Sequence, residues 1–132
     1  MIKISGHRLS TGKIEEIICG INEVVECAVV SKRDKLKGEM PFGFVVVKND
    51  MDKDIKEVIG DIKKNVVEKI GKICQINDIL IVKSLPKTRS GKIIRALLKQ
   101  IVNRDKIYVP PTIEDAKCLP GIIKAFEDKY KL

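Results

Sequence analysis

The feature that most constrains the fold is a change in the spacing of apolar residues along the chain. Four segments place apolar side chains on every third or fourth residue, which is typical of amphipathic helices. These helical segments are residues 11–21, 53–70, 93–101 and 119–130. Short runs rich in Val and Ile separate them and predict strands. The predicted strands are residues 2–4, 24–30, 42–47 and 79–82.

Short connections indicate how these elements are arranged. Gly38 to Pro41 read as the connection between two strands, and a connection that short favours an antiparallel pair. The sequence therefore predicts an α+β fold: a small, mainly antiparallel three-stranded sheet flanked by helices, with a C-terminal helical tail. We expect residues 1–102 to form the main domain. Residues 103–132 are expected to form a linker and a terminal helix packed on the same domain.

Positive charge is concentrated in one segment. The chain of 132 residues carries a formal net charge of +8, and residues 83–106 hold eight basic residues against one acid. Within that segment Ser90 is expected to cap a helix, with Lys92 and Arg95 in its first turns and Arg89 just before it. Cations are unfavourable at the positive end of a helix, so this arrangement predicts an anion site. The alternative is a solvated basic face formed by Lys92, Arg95 and Lys99.

The first helix shows the opposite arrangement of charge. Ser10 or Thr11 can cap its start, and Glu15 and Glu16 suit the positive end of its dipole.

The residues at key positions argue against several common kinds of functional site, and they also indicate a compartment. Gly91 and Lys92 resemble the end of a Walker phosphate loop, but Pro86 replaces its first glycine and Ile93 its Ser or Thr. The four cysteines are widely spaced and His7 is the only histidine, so neither a metal site nor a Ser–His–Asp triad is expected. Scattered thiols, and the lack of a signal peptide or long apolar run, predict a cytoplasmic protein.

Two motifs resemble the C-terminal domain of acetyl- and propionyl-CoA synthetases, which belong to the adenylate-forming superfamily. The motifs are SGHRLSTG at 5–12 and LPKTRSGKI at 85–93. The stretches LKGE at 36–39 and TIED at 112–115 resemble the same family, the latter its propionyl-CoA branch. The resemblance covers essentially the whole chain. It implies a mobile domain that works with a large N-terminal adenylation domain, on the same or a separate chain.

The resemblance implies an AMP-forming ligation of a short acid, such as acetate or propionate, to CoA. A carboxylate attacks the α-phosphate of Mg-ATP, and the thiol of CoA then attacks the acyl-adenylate after the small domain rotates. Lys92 matches the family's catalytic lysine and would stabilise the charge that develops during adenylation. Arg8 resembles the arginine that contacts the nucleotide phosphate. ATP with Mg²⁺ and CoA are substrates of the full enzyme, and none is expected to bind this domain tightly.

The resemblance also assigns the CoA tunnel and a regulatory partner. Ser5, Gly6 and His7 would line the tunnel for the pantetheine arm. Val67 stands where family members carry an arginine for a CoA phosphate, and Lys69 or Lys72 would have to substitute for it. A lysine acyltransferase and a deacylase are implied partners, because acylation of Lys92 would remove its charge.

The isolated domain is expected to be inactive, because the phosphate loop and the adenine and acyl pockets belong to the large domain. Two interpretations from other classes remain: a stand-alone adaptor or acylation target, and a small basic nucleic-acid-binding domain. The low aromatic content and the absence of zinc-finger, KH or RNP motifs argue against the second. Neither nucleic acid nor a membrane is an expected partner.

Overall fold

The fold is built on a mixed sheet whose central strand is β4 (Gly38–Val47). The computed structural model describes residues 2–4, 7–36, 38–50, 52–71, 76 and 78–129, with the backbone alone at 2–4 and 7–9. β4 pairs antiparallel with β3 (Val24–Asp34) and parallel with β5 (Asp78–Ile81). The parallel pairing requires a crossover, which α2 (Ile55–Ile70) provides. The predicted α+β class and its mainly antiparallel three-stranded sheet are confirmed.

Helices cover both faces of this sheet. Side chains of successive residues on β3 point alternately to two apolar clusters, Cys27 and Val29 to one and Ala28 and Val30 to the other. α1 (Thr11–Cys19) and α2 complete the first cluster. α3 (Arg95–Val102) and α4 (Cys118–Lys129) complete the second. The sheet is therefore the middle of three layers.

The helices begin and end largely where the sequence predicts. The Ser10 hydroxyl accepts a hydrogen bond from the Lys13 backbone N–H at 3.3 Å, which caps α1. Gly71 ends α2 with a φ of +114°, a conformation that glycine adopts without a steric penalty. The terminal helix holds Pro120 in its first turn, where a missing N–H costs little.

A short strand pair extends the sheet near the start of β4. β1 (Ile2–Ile4) is antiparallel to β2 (His7–Leu9), and Ile4 pairs with Gly38. The sequence predicts β1 but not β2. The predicted connection at 38–41 is wrong, because β3 and β4 stay paired out to Asp34 and Gly38. This end of the hairpin is polar and is held by backbone hydrogen bonds, so the spacing of apolar residues does not indicate it.

No helix in the described part of the chain is both long and apolar enough to cross a membrane. The C-terminal helix packs into the second apolar cluster through Leu119, Ile122 and Phe126. The boundary at residue 102 stays a prediction.

Candidate functional site

Lys92 ends a tight turn that is held by its own backbone and hydroxyl groups. The Thr88 N–H donates to the Lys92 carbonyl at 2.8 Å, and the Gly91 N–H donates to the Thr88 carbonyl at 2.9 Å. The Thr88 hydroxyl accepts from the Lys92 N–H at 3.2 Å and lies 2.8 Å from the Ser90 hydroxyl. Gly91 has a φ of +90°, which the turn requires. The motif thus forms a closed turn with Lys92 at its exit.

The start of the following helix differs from the prediction. α3 begins at Arg95 after Ile94, with no side-chain cap, so Lys92 lies before the helix and Ser90 does not cap it. Ile93 instead forms an antiparallel bridge with Lys87 across the turn. Apolar spacing could not place this boundary, because Ile93 is a core-facing residue in either conformation.

A second segment supports the turn from outside. The Glu114 N–H donates to the Lys87 carbonyl at 2.8 Å, and the Arg89 N–H donates to the Thr112 carbonyl at 3.1 Å. Thr88 and Ile113 form an isolated antiparallel bridge. Residues 112–114, predicted as part of a linker and its TIED continuation, therefore form a backbone strap beside the turn.

The positive charges of this region fall into two groups. Lys87 pairs with Glu26 at 2.7 Å, and the Arg95 guanidinium pairs with the Glu15 carboxylate. Arg89 and Lys92 are exposed, and neither side chain has an ion-pair partner within the described ranges. The cations available to an anion at this turn are thus Arg89 and Lys92. The expectation that Arg95 joins them is wrong, because its charge is already paired.

Glu15 is the polar residue that sequence reasoning interpreted incorrectly. It does not serve the α1 dipole, since the first turn of α1 holds no acidic residue and Glu15 is only 9% exposed. Its carboxylate accepts from the Val29 N–H at 3.0 Å and from Arg95 Nε at 2.9 Å. The same hydrogen bonding raises the pKa of Arg95. The sequence did contain an indication that Glu15 is buried, because it lies three residues before Ile18, beside the apolar face of its helix.

The remaining predicted site residues lie mostly outside what the structure describes. Ser5 and Gly6 are outside the described residues. His7 and Arg8 are placed in β2 by their backbone, and nothing is described of their side chains. Val67 is half-buried and Lys69 exposed near the end of α2. Within the described residues, no group of three His, Cys, Asp or Glu side chains could hold a metal ion.

Comparison with known proteins gives the family. The model of the AMP-binding enzyme C-terminal domain matches residues 13–92. The chain is 49% identical over its full length to acyl-CoA synthetase short-chain family member B, mitochondrial, of Dictyostelium discoideum, and covers 19% of that protein. It is 42% identical over 131 residues (99% of the chain) to short-chain family member 3, mitochondrial, of Bos taurus, and covers 18% of it. The chain thus spans about a fifth of the length of these curated relatives.

Solved structures agree with this result. The crystal structure of the anthranilate CoA ligase AuaEII in complex with anthranoyl-AMP is similar with a TM-score of 0.71 at 28% identity, covering 79% of this chain and 20% of that one. The acyl-CoA synthetase of Brucella canis is similar with a TM-score of 0.68 at 28% identity, covering 74% of this chain and 18% of that one. The fold, the turn at Lys92 and the family model agree: the chain belongs to the AMP-binding enzyme C-terminal domain family.

Proposed function

We propose that this chain is the C-terminal domain of an AMP-forming short-chain acyl-CoA synthetase and supplies Lys92 to the adenylation step. The observation that carries the proposal is the Lys92 turn, which presents an exposed lysine on a backbone held by hydrogen bonds from both sides. Its motif lies at the end of the matched family region, residues 13–92. The large N-terminal domain of the same enzyme is the partner.

In adenylation, negative charge accumulates as a carboxylate approaches the α-phosphate of Mg-ATP. A positioned ammonium lowers the energy of that transition state more than that of the separated reactants. Lys92 fulfils this role, with Arg8 at the nucleotide phosphate. Arg89, the other exposed cation of the turn, adds to the positive field through which the nucleotide arrives.

In thioester formation, the small domain turns and presents a different surface to the large domain. Ser5, Gly6 and His7 then line the tunnel for the pantetheine arm of CoA, and the thiol displaces AMP from the acyl-adenylate. The names of the curated relatives support a short-chain acid as the acyl donor. The anthranoyl-AMP complex of AuaEII supports an acyl-adenylate as the intermediate.

Lys92 is also the proposed target of reversible acylation. An exposed lysine on a surface turn is accessible to an acyltransferase and to a deacylase. Acylation would neutralise the ammonium and stop adenylation. The cytoplasmic location stays a prediction, whereas the names of both quoted curated relatives include the word mitochondrial.

A chimeric synthetase tests the proposal. The Dictyostelium discoideum relative would carry this chain in place of its own matching segment, and acyl-CoA formation from acetate and from propionate would be measured. We expect acyl-CoA formation well above that of the large domain alone. A chimera that folds but forms no acyl-CoA from any short acid, while the intact relative does, would contradict the proposed function.

A further inference from the structure

The Glu15 carboxylate joins three different elements of the fold. Glu15 lies on α1, its Oε2 accepts from the Val29 N–H of β3 at 3.0 Å, and both its oxygens accept from Arg95 of α3. Arg95 uses Nε and a terminal nitrogen, so the pair is bidentate. Bidentate arginine–carboxylate pairs fix orientation as well as distance. The position of Arg95 is thus tied to both α1 and β3.

This contact crosses the edge of the sheet. β3 pairs with β4 on one side and with no other strand in the described part of the chain, so the Val29 N–H that reaches Glu15 belongs to the free edge. α1 packs in the cluster on one face of the sheet, and α3 packs in the cluster on the other. Glu15 and Arg95 therefore clamp the two helical layers together around β3. The bond also satisfies a backbone donor that would otherwise be open to pairing by another strand.

The start of α3 depends on this clamp. α3 has eight residues, no side-chain cap and no acidic residue in its first turn. A helix this short is marginal without tertiary contacts, and an uncapped N-terminus adds to its cost. Arg95 is the first residue of α3, so its bond to Glu15 holds the uncapped N-terminal end of the helix in place.

Lys92 lies directly upstream of that fixed point. Between Lys92 and Arg95, the Ile94 N–H donates to the Pro86 carbonyl at 2.9 Å and Ile93 bridges Lys87. The turn is therefore anchored to the strap on one side and to Arg95 on the other. A shift of the α3 start would move the backbone from which the Lys92 side chain extends.

We propose that Glu15 is a positioning residue for adenylation, which acts through Arg95 to fix the place of the Lys92 ammonium. This inference rests on the proposed function of Lys92. Displacement of a reacting group by about 1 Å is able to cost about 100-fold in rate without contact to the substrate. The effect belongs to the step that uses Lys92 and is absent from the step that does not.

The test measures the two half-reactions separately in the chimeric synthetase. Glu15→Gln removes the charge and one acceptor while keeping the side-chain volume. We expect the kcat for adenylation, followed by ATP–pyrophosphate exchange, to fall about 10- to 100-fold with the KM for ATP nearly unchanged. Thioester formation from added acyl-adenylate and CoA should stay within about twofold of the unmodified chimera.

Arg95 provides a second, independent variant. Arg95→Lys keeps the charge but loses the bidentate fork, so we expect a smaller adenylation loss than with Glu15→Gln. The double variant should be no worse than the more impaired single variant, because both residues act as one unit. Asp61→Asn on α2 is the matched control, since it removes the exposed ion pair with Lys53 and should change neither half-reaction.

Two results would overturn this proposal: an equal loss in both half-reactions, or unchanged adenylation in a folded Glu15→Gln enzyme. If Glu15→Gln does not fold, Arg95→Lys decides by the same criteria. Lys92→Ala distinguishes failure of the Glu15 proposal from failure of the proposed role of Lys92. If Lys92→Ala loses adenylation and neither clamp variant does, the clamp proposal fails alone. If Lys92→Ala adenylates at the full rate, the proposed role of Lys92 itself fails.

Discussion

At the scale of single residues, the neighbouring thiols of Cys19 and Cys27 lie in opposite environments. Cys19 is exposed at the end of α1, whereas Cys27 is buried on β3, and their sulfur atoms lie 3.2 Å apart. Cys27 donates to the Glu15 carbonyl at 3.4 Å. Burial raises the pKa of the Cys27 thiol, with a further contribution from Cys19. The thiolate is the reactive form, so Cys27 should be chemically inert in the folded chain.

This difference predicts selective alkylation. With iodoacetamide at pH 8, we expect Cys19 to be modified at least about tenfold faster than Cys27, because burial raises the pKa of the Cys27 thiol and so lowers the fraction present as reactive thiolate. Peptide mapping by mass spectrometry would measure both rates. Unfolding in urea should make them similar. Equal rates in the native protein would show that Cys27 is not held in the buried environment described.

Lys92 and Arg95 show what sequence could and could not predict about the site. Both are basic and lie three residues apart, and charge patterning placed them in one anion site. Tertiary contacts separate them, because the Glu15 carboxylate pairs with Arg95 while Lys92 remains exposed. The partner lies eighty residues away in the sequence. No local pattern encodes such a pairing, whereas the motif that singles out Lys92 is contiguous.

At the scale of elements, periodicity predicted α1, α2 and α4 well because each buries a continuous apolar stripe. It failed where backbone bonds decide the structure. Ile93 has the spacing of a helix residue but bridges Lys87, and the polar end of the β3–β4 hairpin carries no apolar signal.

The end of α3 contributes a further contact that the sequence did not indicate. The Asn103 side chain accepts from the Arg33 N–H at 2.8 Å and donates to the Ser31 carbonyl at 3.1 Å. These groups lie on the same free edge of β3 as the Val29 N–H. Glu15 and Asn103 thus cover the edge near the two ends of α3 and protect it from pairing with another chain.

A substitution at Asn103 tests this edge contact. Asn103→Ala should lower the free energy of unfolding by about 1–2 kcal/mol, because it removes an acceptor and a donor from backbone groups of β3. Asn65→Ala is the matched control, since the Asn65 side chain donates within its own helix at 2.8 Å and alanine is a better helix former. Urea unfolding would measure both. Equal effects would contradict the role assigned to the Asn103 contact.

At the scale of the whole molecule, the three-layered fold presents the hydrogen-bonded turn at Lys92 on its surface, while much of the reaction's machinery is proposed to lie in the large domain. The α+β class could be predicted because helix-like and strand-like spacings of apolar residues alternate along the chain, and each element buries its own apolar face. The parallel placement of β5 did not follow, since register and direction depend on contacts across α2. The family resemblance rested on contiguous motifs, and its assignment to Ser5, Gly6, His7 and Arg8 stays a prediction.

The central claim is that Lys92 serves adenylation and not thioester formation. The most direct measurement compares Lys92→Ala with the unmodified chimeric synthetase in both half-reactions, with Lys99→Ala, another exposed lysine of the same segment, as the control. We predict that ATP–pyrophosphate exchange falls about 100-fold or more with Lys92→Ala alone, while thioester formation from added acyl-adenylate persists. Undiminished exchange in a folded Lys92→Ala enzyme would contradict the account.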